Sequence, residues 1–221
     1  MRDLLQPRVL HQASVASLVS ALACYPRISL WLARPEPIWY LETVLFLCGI
    51  VLWGFVFAWH TPYSSRPVFI FNPEPEAFIA ATVLGIGAAI ACHWWLDPLL
   101  RPKLPEEYPA DLKHWFALML FSLALNQLFV VFAAFDWLMR LLKRRWLAAS
   151  LTALFGAGLL AMKLHALAMP IAPSLWAMLL AGRILAGFLA VWFYLRGGVI
   201  LVWWWTFLLG SRHLLDWSGH A

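Results

Sequence analysis

The chain has 221 residues, 63% of them hydrophobic and 12% charged, with 15 Trp and a formal net charge of +5. This balance excludes an ordinary soluble domain, and the cations gather at the ends of apolar runs rather than in the basic stripe a nucleic-acid surface needs. Cys24, Cys48 and Cys92 are odd in number and widely spaced, so neither a disulfide framework nor a zinc pattern follows from them.

Val9 to Leu32 is weakly apolar and interrupted by Pro26 and Arg27. It reads as a short tilted span, a re-entrant hairpin or an interfacial helix. Arg27 and Arg34 fall where a cleavage region would stand, so no cleaved signal peptide is expected. Ile38 to His60 reads as a span with Trp39 and Tyr40 at one end and Trp59 at the other, the aromatic-belt arrangement. Pro62, Pro67, Pro73 and Pro75 make Thr61 to Glu76 a loop. Ala77 to Leu96 is a Gly- and Ala-rich span suited to close packing. Asp97 to Leu112 is a loop whose Asp111 is placed to cap the next helix.

Lys113 to Arg140 and Trp146 to Met169 are long spans joined by a cationic hinge of Arg140, Lys143, Arg144 and Arg145. Pro170 and Pro173 break the chain before Trp176 to Arg196, Gly197-Gly198 form a tight turn, and Val199 to Leu215 is the last span. The predicted fold is an all-α polytopic transmembrane bundle of six to seven spans. It divides into an N-terminal segment (1–36), two helices with Pro-rich loops (37–112) and a four-helix core (113–221). Excess cation marks the cytoplasmic side. That places the hinge and Arg196 inside and Glu106-Glu107 outside, and an inside N-terminus with Arg2 and Arg8 then requires seven spans. Arg27 and Arg34 lie on the wrong side in that count, which keeps six spans plus a re-entrant piece as the alternative. The expected location is a bacterial inner membrane.

Polar residues inside spans are the candidates for chemistry, because the bilayer core offers no water to pair them. Asn126 and Gln127 sit near the middle of their span. Arg183 lies within LWAMLLAGRILAGFLAVWFY, and Glu42, near the start of its own span, is a candidate partner for it. Asp136 and Arg140 have the i, i+4 spacing of an ion pair. His60, His93, His114 and His213 fall at span ends, where interfacial hydrogen bonding explains them, and His165 lies near the end of its helix. His93, His114 and His165 are the candidate axial ligands for a haem or chlorophyll-type pigment, although no spacing marks a pair. No zinc motif of the HExxH kind is present, and no metal is expected.

The region from Lys113 to Leu215 resembles the CPBP intramembrane endopeptidases, which include type II CAAX prenyl proteases and bacteriocin-processing proteins. NQLFVV at Asn126 to Val131 resembles the family's Glu-Glu-x-x-x-Arg motif, and Arg140 to Arg145 its cationic turn. LTALFGAGL then resembles the Phe-x-x-x-His helix, and the Gly-rich run through WWWTFLLG the final His-x-x-x-Asn helix. With Asn126 and Gln127 on the two Glu positions, Phe155 falls on the family's Phe without a gap. The resemblance implies a membrane bundle in which a Glu activates water for peptide attack, with His residues assisting. The chain departs from it at the reacting positions: Val131 replaces Arg, Leu159 the first His, and Thr206 and Gly210 fall about on the last His and Asn. An amide is no general base near neutral pH, and leucine is neither ligand nor acid.

The sequence therefore points to a non-catalytic CPBP-like pseudoprotease, a scaffold, assembly or accessory subunit of a larger membrane complex. Its expected partners are membrane lipids and other integral membrane proteins in a hetero-oligomer, with no nucleic acid and no cofactor. Two alternatives are a haem- or pigment-binding subunit of an electron-transfer or light-harvesting assembly, and an intramembrane protease with a non-standard set such as Asp136, His165 and Arg183.

Overall fold

The computed structural model describes residues 2–31, 36–105, 108–166 and 172–218. Six helices among these residues are long and apolar enough to cross a membrane. They are α1 (Pro7–Ser29), α2 (Ile38–Ser64), α3 (Pro75–Leu100), α4 (Leu112–Leu142), α5 (Arg145–Ala166) and α6 (Pro173–Gly210), the apolar run of the last continuing to Leu215. A short α7 (Arg212–Ser218) follows. The chain is an all-α integral membrane bundle. Half of the most apolar window of α4 is buried against 22% of that of α3, so α4 is the axis and α3 the rim.

The sixth helix is folded back on itself. Gly198 has φ 64° and ψ −160°, a conformation closed in practice to residues with a Cβ, and an added Cβ would also press on the Val68 carbonyl. The arms 173–197 and 199–210 consequently lie side by side, with the Phe193 and Trp205 rings 5.3 Å apart. The chain thus traverses the bundle seven times, and the tight turn expected at Gly197-Gly198 is present. The 65–74 linker tucks beneath this fold, where Val199 N–H donates to the Val68 carbonyl at 3.0 Å.

Several boundaries move outward from the sequence reading. The first segment is one continuous helix, fastened to α2 by Ser17 Oγ donating to the Phe46 carbonyl (2.5 Å) and by Trp53 Nε1 donating to Ser20 Oγ (2.9 Å). The second runs past His60 and through Pro62 to Ser64, where Ser65 in the left-handed region (φ 61°) returns its N–H to the Thr61 carbonyl. A widened turn at Cys92–Leu96 lets α3 continue to Leu100, and Pro98 sits in the first turn after it, where a missing N–H costs little. Pro173 starts α6 instead of breaking the chain, for the same reason. Arg34, Glu106-Glu107, and the predicted helix end at Met169 with Pro170, lie outside the described residues.

Polar groups fasten both ends of the bundle. At the hinge end, Arg66 bonds the Arg196 carbonyl (2.8 Å) and pairs with Glu74 (2.6 Å), which also takes Arg196 (2.9 Å). The hydrogen bonds from Arg66 and then Arg196 hold the Glu74 carboxyl below its ordinary range. Arg145 donates to the Tyr63 carbonyl and Arg140 to the Tyr63 hydroxyl, closing α4 and α5 onto α2. At the far end, buried Asp97 accepts from Arg212 Nε (3.0 Å) and Tyr108 Oη (2.9 Å). Burial, then the Asp97 charge, pushes the Tyr108 phenol well up. Asp111 caps α4 as expected, its Oδ1 accepting from the His114 N–H at 2.8 Å.

Candidate functional site

The middle of α4 departs from regular α geometry. Two widened π turns, Ser122–Asn126 and Leu128–Ala133, flank Gln127. Such turns loosen the i to i−4 ladder and recur at functional sites. Here the Leu123 carbonyl accepts Trp203 Nε1–H at 2.8 Å, which ties α4 to the second arm of α6.

Gln127, 8% exposed, lines a cavity of about 40 Å³ at the heart of the bundle. Its walls are Val130 and Val131 of α4, Thr152 and Gly156 of α5, and Arg183, Thr206 and Leu209 of α6 among others. A space of that size with polar walls admits water. Thr152 Oγ1 is satisfied by the Ala148 carbonyl at 2.8 Å, but the Thr206 hydroxyl is buried with no hydrogen-bond partner among the described residues. The two glycines facing this space are there for clearance: a Cβ on Gly156 would stand 3.3 Å from Arg183 Nε, and one on Gly187 would stand 2.8 Å from the Ala153 backbone.

Arg183 is the unusual member. Its Nε reaches the Gly156 carbonyl at 3.4 Å, beyond the usual range for an N–H donor. Gly156 lies halfway along α5, so the guanidinium is held at mid-depth and is not drawn to either end. Arg at the centre of a span costs at least ~2.5 kcal/mol on insertion scales, and a lone long bond offsets little of that. The expected pairing with Glu42 is not formed: Glu42 lies one turn into α2 at the far end, its Oε1 buried without a hydrogen-bond partner among the described residues.

The structure brings together only part of the set named from the sequence. Gln127, Val131, Thr206 and Arg183 share the cavity. Asn126 stands half-buried on the adjoining turn. Phe155 is 37% exposed and meets Phe129 edge to face, turned away from the cavity. Leu159 packs against the apolar core, and Gly210 lends its carbonyl to Trp115 Nε1 at 3.0 Å. The imidazole of His114 is held by Asp111 at 2.8 Å, His93 lies on the widened turn of α3 against Trp94, and His165 is exposed near the far end of α5. Among the described residues no three His, Cys, Asp or Glu side chains are grouped as metal ligands.

Sequence reasoning missed a second buried cluster. Asp136 does not pair with Arg140. Its Oδ2 accepts the Tyr194 hydroxyl at 2.6 Å and its Oδ1 lies 3.5 Å from His60 Nδ1. All three residues are at most 1% exposed, so His60 is a core residue and not an interfacial one. The carboxyl, imidazole and phenol are sealed beneath Phe132 and Phe135, whose rings lie 4.8 and 6.1 Å from that of Tyr194. Asp136, His165 and Arg183, the set for a non-standard hydrolase, lie at three different depths. The one available signal was Asp136 itself, a charge in an apolar run.

A larger cleft of about 630 Å³ opens at the hinge end between the N-terminal turn, α1, the end of α2 and the 65–74 linker. It is lined by Asp3, Gln6, Arg8, Trp59 and Tyr63 among others, and none of the residues named from the sequence as site candidates is among them. No family model, curated protein or solved structure matches the chain.

Proposed function

We propose that the chain is a non-catalytic membrane subunit with the outline of a CPBP intramembrane protease, holding other integral membrane proteins in a larger complex of a bacterial inner membrane. One observation carries the reading. Three positions that the resemblance assigns to reacting groups, Gln127, Val131 and Thr206, line one cavity deep in the bundle, and they present an amide, an aliphatic and a hydroxyl. None of these takes a proton from water near neutral pH, which peptide hydrolysis of this kind requires. Polar walls without proton-handling groups suit recognition better than turnover.

Copurification at native expression tests the reading. A tagged chain extracted in mild detergent is expected to carry at least one membrane protein in fixed stoichiometry. A chain that runs alone under those conditions overturns it. Release of a peptide product that disappears in Gln127→Ala would overturn the non-catalytic part separately.

A further inference from the structure

We infer that the cavity at the heart of the bundle is a binding site for one small monovalent anion of the halide class, held by Arg183, Thr206 and Gln127. This inference is independent of the scaffold reading above.

A buried lysine can shed its proton, but an arginine stays cationic wherever it is placed, so Arg183 cannot escape the cost of its charge by titration. Taking such a charge out of water is unfavourable unless an opposite charge meets it, and most so at mid-span. Among the described residues no carboxylate lies within ion-pair distance of the guanidinium, and no Asp or Glu lines the cavity. Asp136 is held by Tyr194 and His60 outside these walls. The guanidinium makes one long bond within the chain, from Nε to the Gly156 carbonyl, which leaves its remaining N–H donors unengaged by the described residues.

The other polar walls can also donate. Thr152 returns its hydroxyl to the carbonyl four residues earlier, the usual solution for a threonine inside a helix. Thr206 forgoes that bond: the residue is 7% exposed, its hydroxyl has no hydrogen-bond partner among the described residues, and it lines the cavity. Gln127, set between the two widened turns of α4, adds an amide N–H from the opposite wall. A fixed cation, a free hydroxyl and an amide therefore converge on one enclosed space from α4 and both arms of α6, and hydrogen bonds to a charged acceptor are the stronger kind.

Size selects the ligand. A space of about 40 Å³ holds a single species close to water in size. Phosphate, sulfate and a lipid headgroup are too large for it, and a headgroup is also excluded by depth. Water fits but brings no charge, whereas the attraction between unit charges grows as the surrounding dielectric falls. Chloride and bromide meet both requirements.

The test uses the full-length chain in mild detergent, exchanged into sodium gluconate, whose anion is too large for the cavity. Replacing gluconate by chloride or bromide at constant ionic strength is expected to raise the melting temperature saturably, by several degrees. Arg183→Gln should abolish the halide-dependent shift. Thr206→Val keeps the side-chain shape and removes the hydroxyl, and should raise the half-saturating chloride concentration about tenfold; it carries the test if Arg183→Gln fails to fold. Crystals grown in bromide should place the anomalous signal of the ion beside Arg183 and Thr206. Equal melting in chloride and gluconate overturns the inference, as does a rise that never saturates, a shift that survives both substitutions, or a cavity that holds water while bromide binds elsewhere.

Discussion

The Asp136–Tyr194 hydrogen bond should be among the larger single contributions to the stability of this bundle. Tyr194 is fully buried, Asp136 is 1% exposed, and their 2.6 Å bond joins α4 to α6 across 58 residues of sequence. Tyr194→Phe keeps the ring, which packs on Phe132, Phe135 and His60, and deletes only the hydroxyl. The carboxyl is then left with His60 at 3.5 Å, too far for a strong replacement bond. Leaving a buried acceptor unsatisfied costs about 1–3 kcal/mol, so a loss near ~2 kcal/mol is expected. Unfolding in mild detergent by added denaturing detergent, followed by Trp fluorescence, would read it. A double-mutant cycle with Asp136→Asn should give a coupling of about 1–3 kcal/mol, because the two residues share one bond. Tyr194→Phe within ~0.5 kcal/mol of wild type, or additive single mutants, would refute the claim that this bond fastens the hinge half.

Gly198→Ala should cost about 1–3 kcal/mol for its backbone conformation alone, and more for contact with Val68; a melt equal to wild type would mean that α6 does not fold at this residue. Asp97→Asn leaves Arg212, 19% exposed, without its buried counter-charge and should lose about 3 kcal/mol; Tyr108→Phe, which removes a neutral donor, should lose less in the same assay. The Glu74 carboxyl is held below its ordinary value of 4.5 by Arg66 and Arg196. Its stabilisation is therefore present above pH 4.5 and lost as pH falls through the lowered folded value. Glu74→Gln should accordingly flatten the acid limb of melting temperature against pH and leave the curve above pH 6 parallel to wild type.

Hydropathy made the helices legible, because each apolar run long enough to span a bilayer is helical here. Local rules also placed the Asp111 cap and the turn at Gly197-Gly198, since each depends on residues within one turn of chain. Asp136 shows where such rules stop. Asp136 and Arg140 both lie in the regular helical stretch Ala134–Leu142, so the i, i+4 spacing is intact, but partners on other helices take both side chains. Asp136 turns inward to Tyr194 and His60, while Arg140 reaches Tyr63 on α2. Glu42 and Arg183 fail for a related reason: both sit in spans, but at different depths, and depth is not written in the spacing between two helices.

The polar groups are not satisfied evenly along the membrane normal. At the hinge end Glu74 takes two arginines, and below them Tyr194 and His60 enclose Asp136; at the far end Arg212 and Tyr108 close on Asp97. Between these fastened layers, Arg183 has one long bond and Thr206 none. A bundle selected only for its own stability has no use for this arrangement, because replacing a mid-membrane cation by an apolar residue removes a desolvation cost and leaves no buried counter-charge behind. The uneven satisfaction therefore places the stability of the bundle at its two ends and makes the Arg183 layer its weakest. On that argument Arg183→Leu should raise the melting temperature of the isolated chain in halide-free buffer; a variant that lowers it would make Arg183 a structural residue of the bundle.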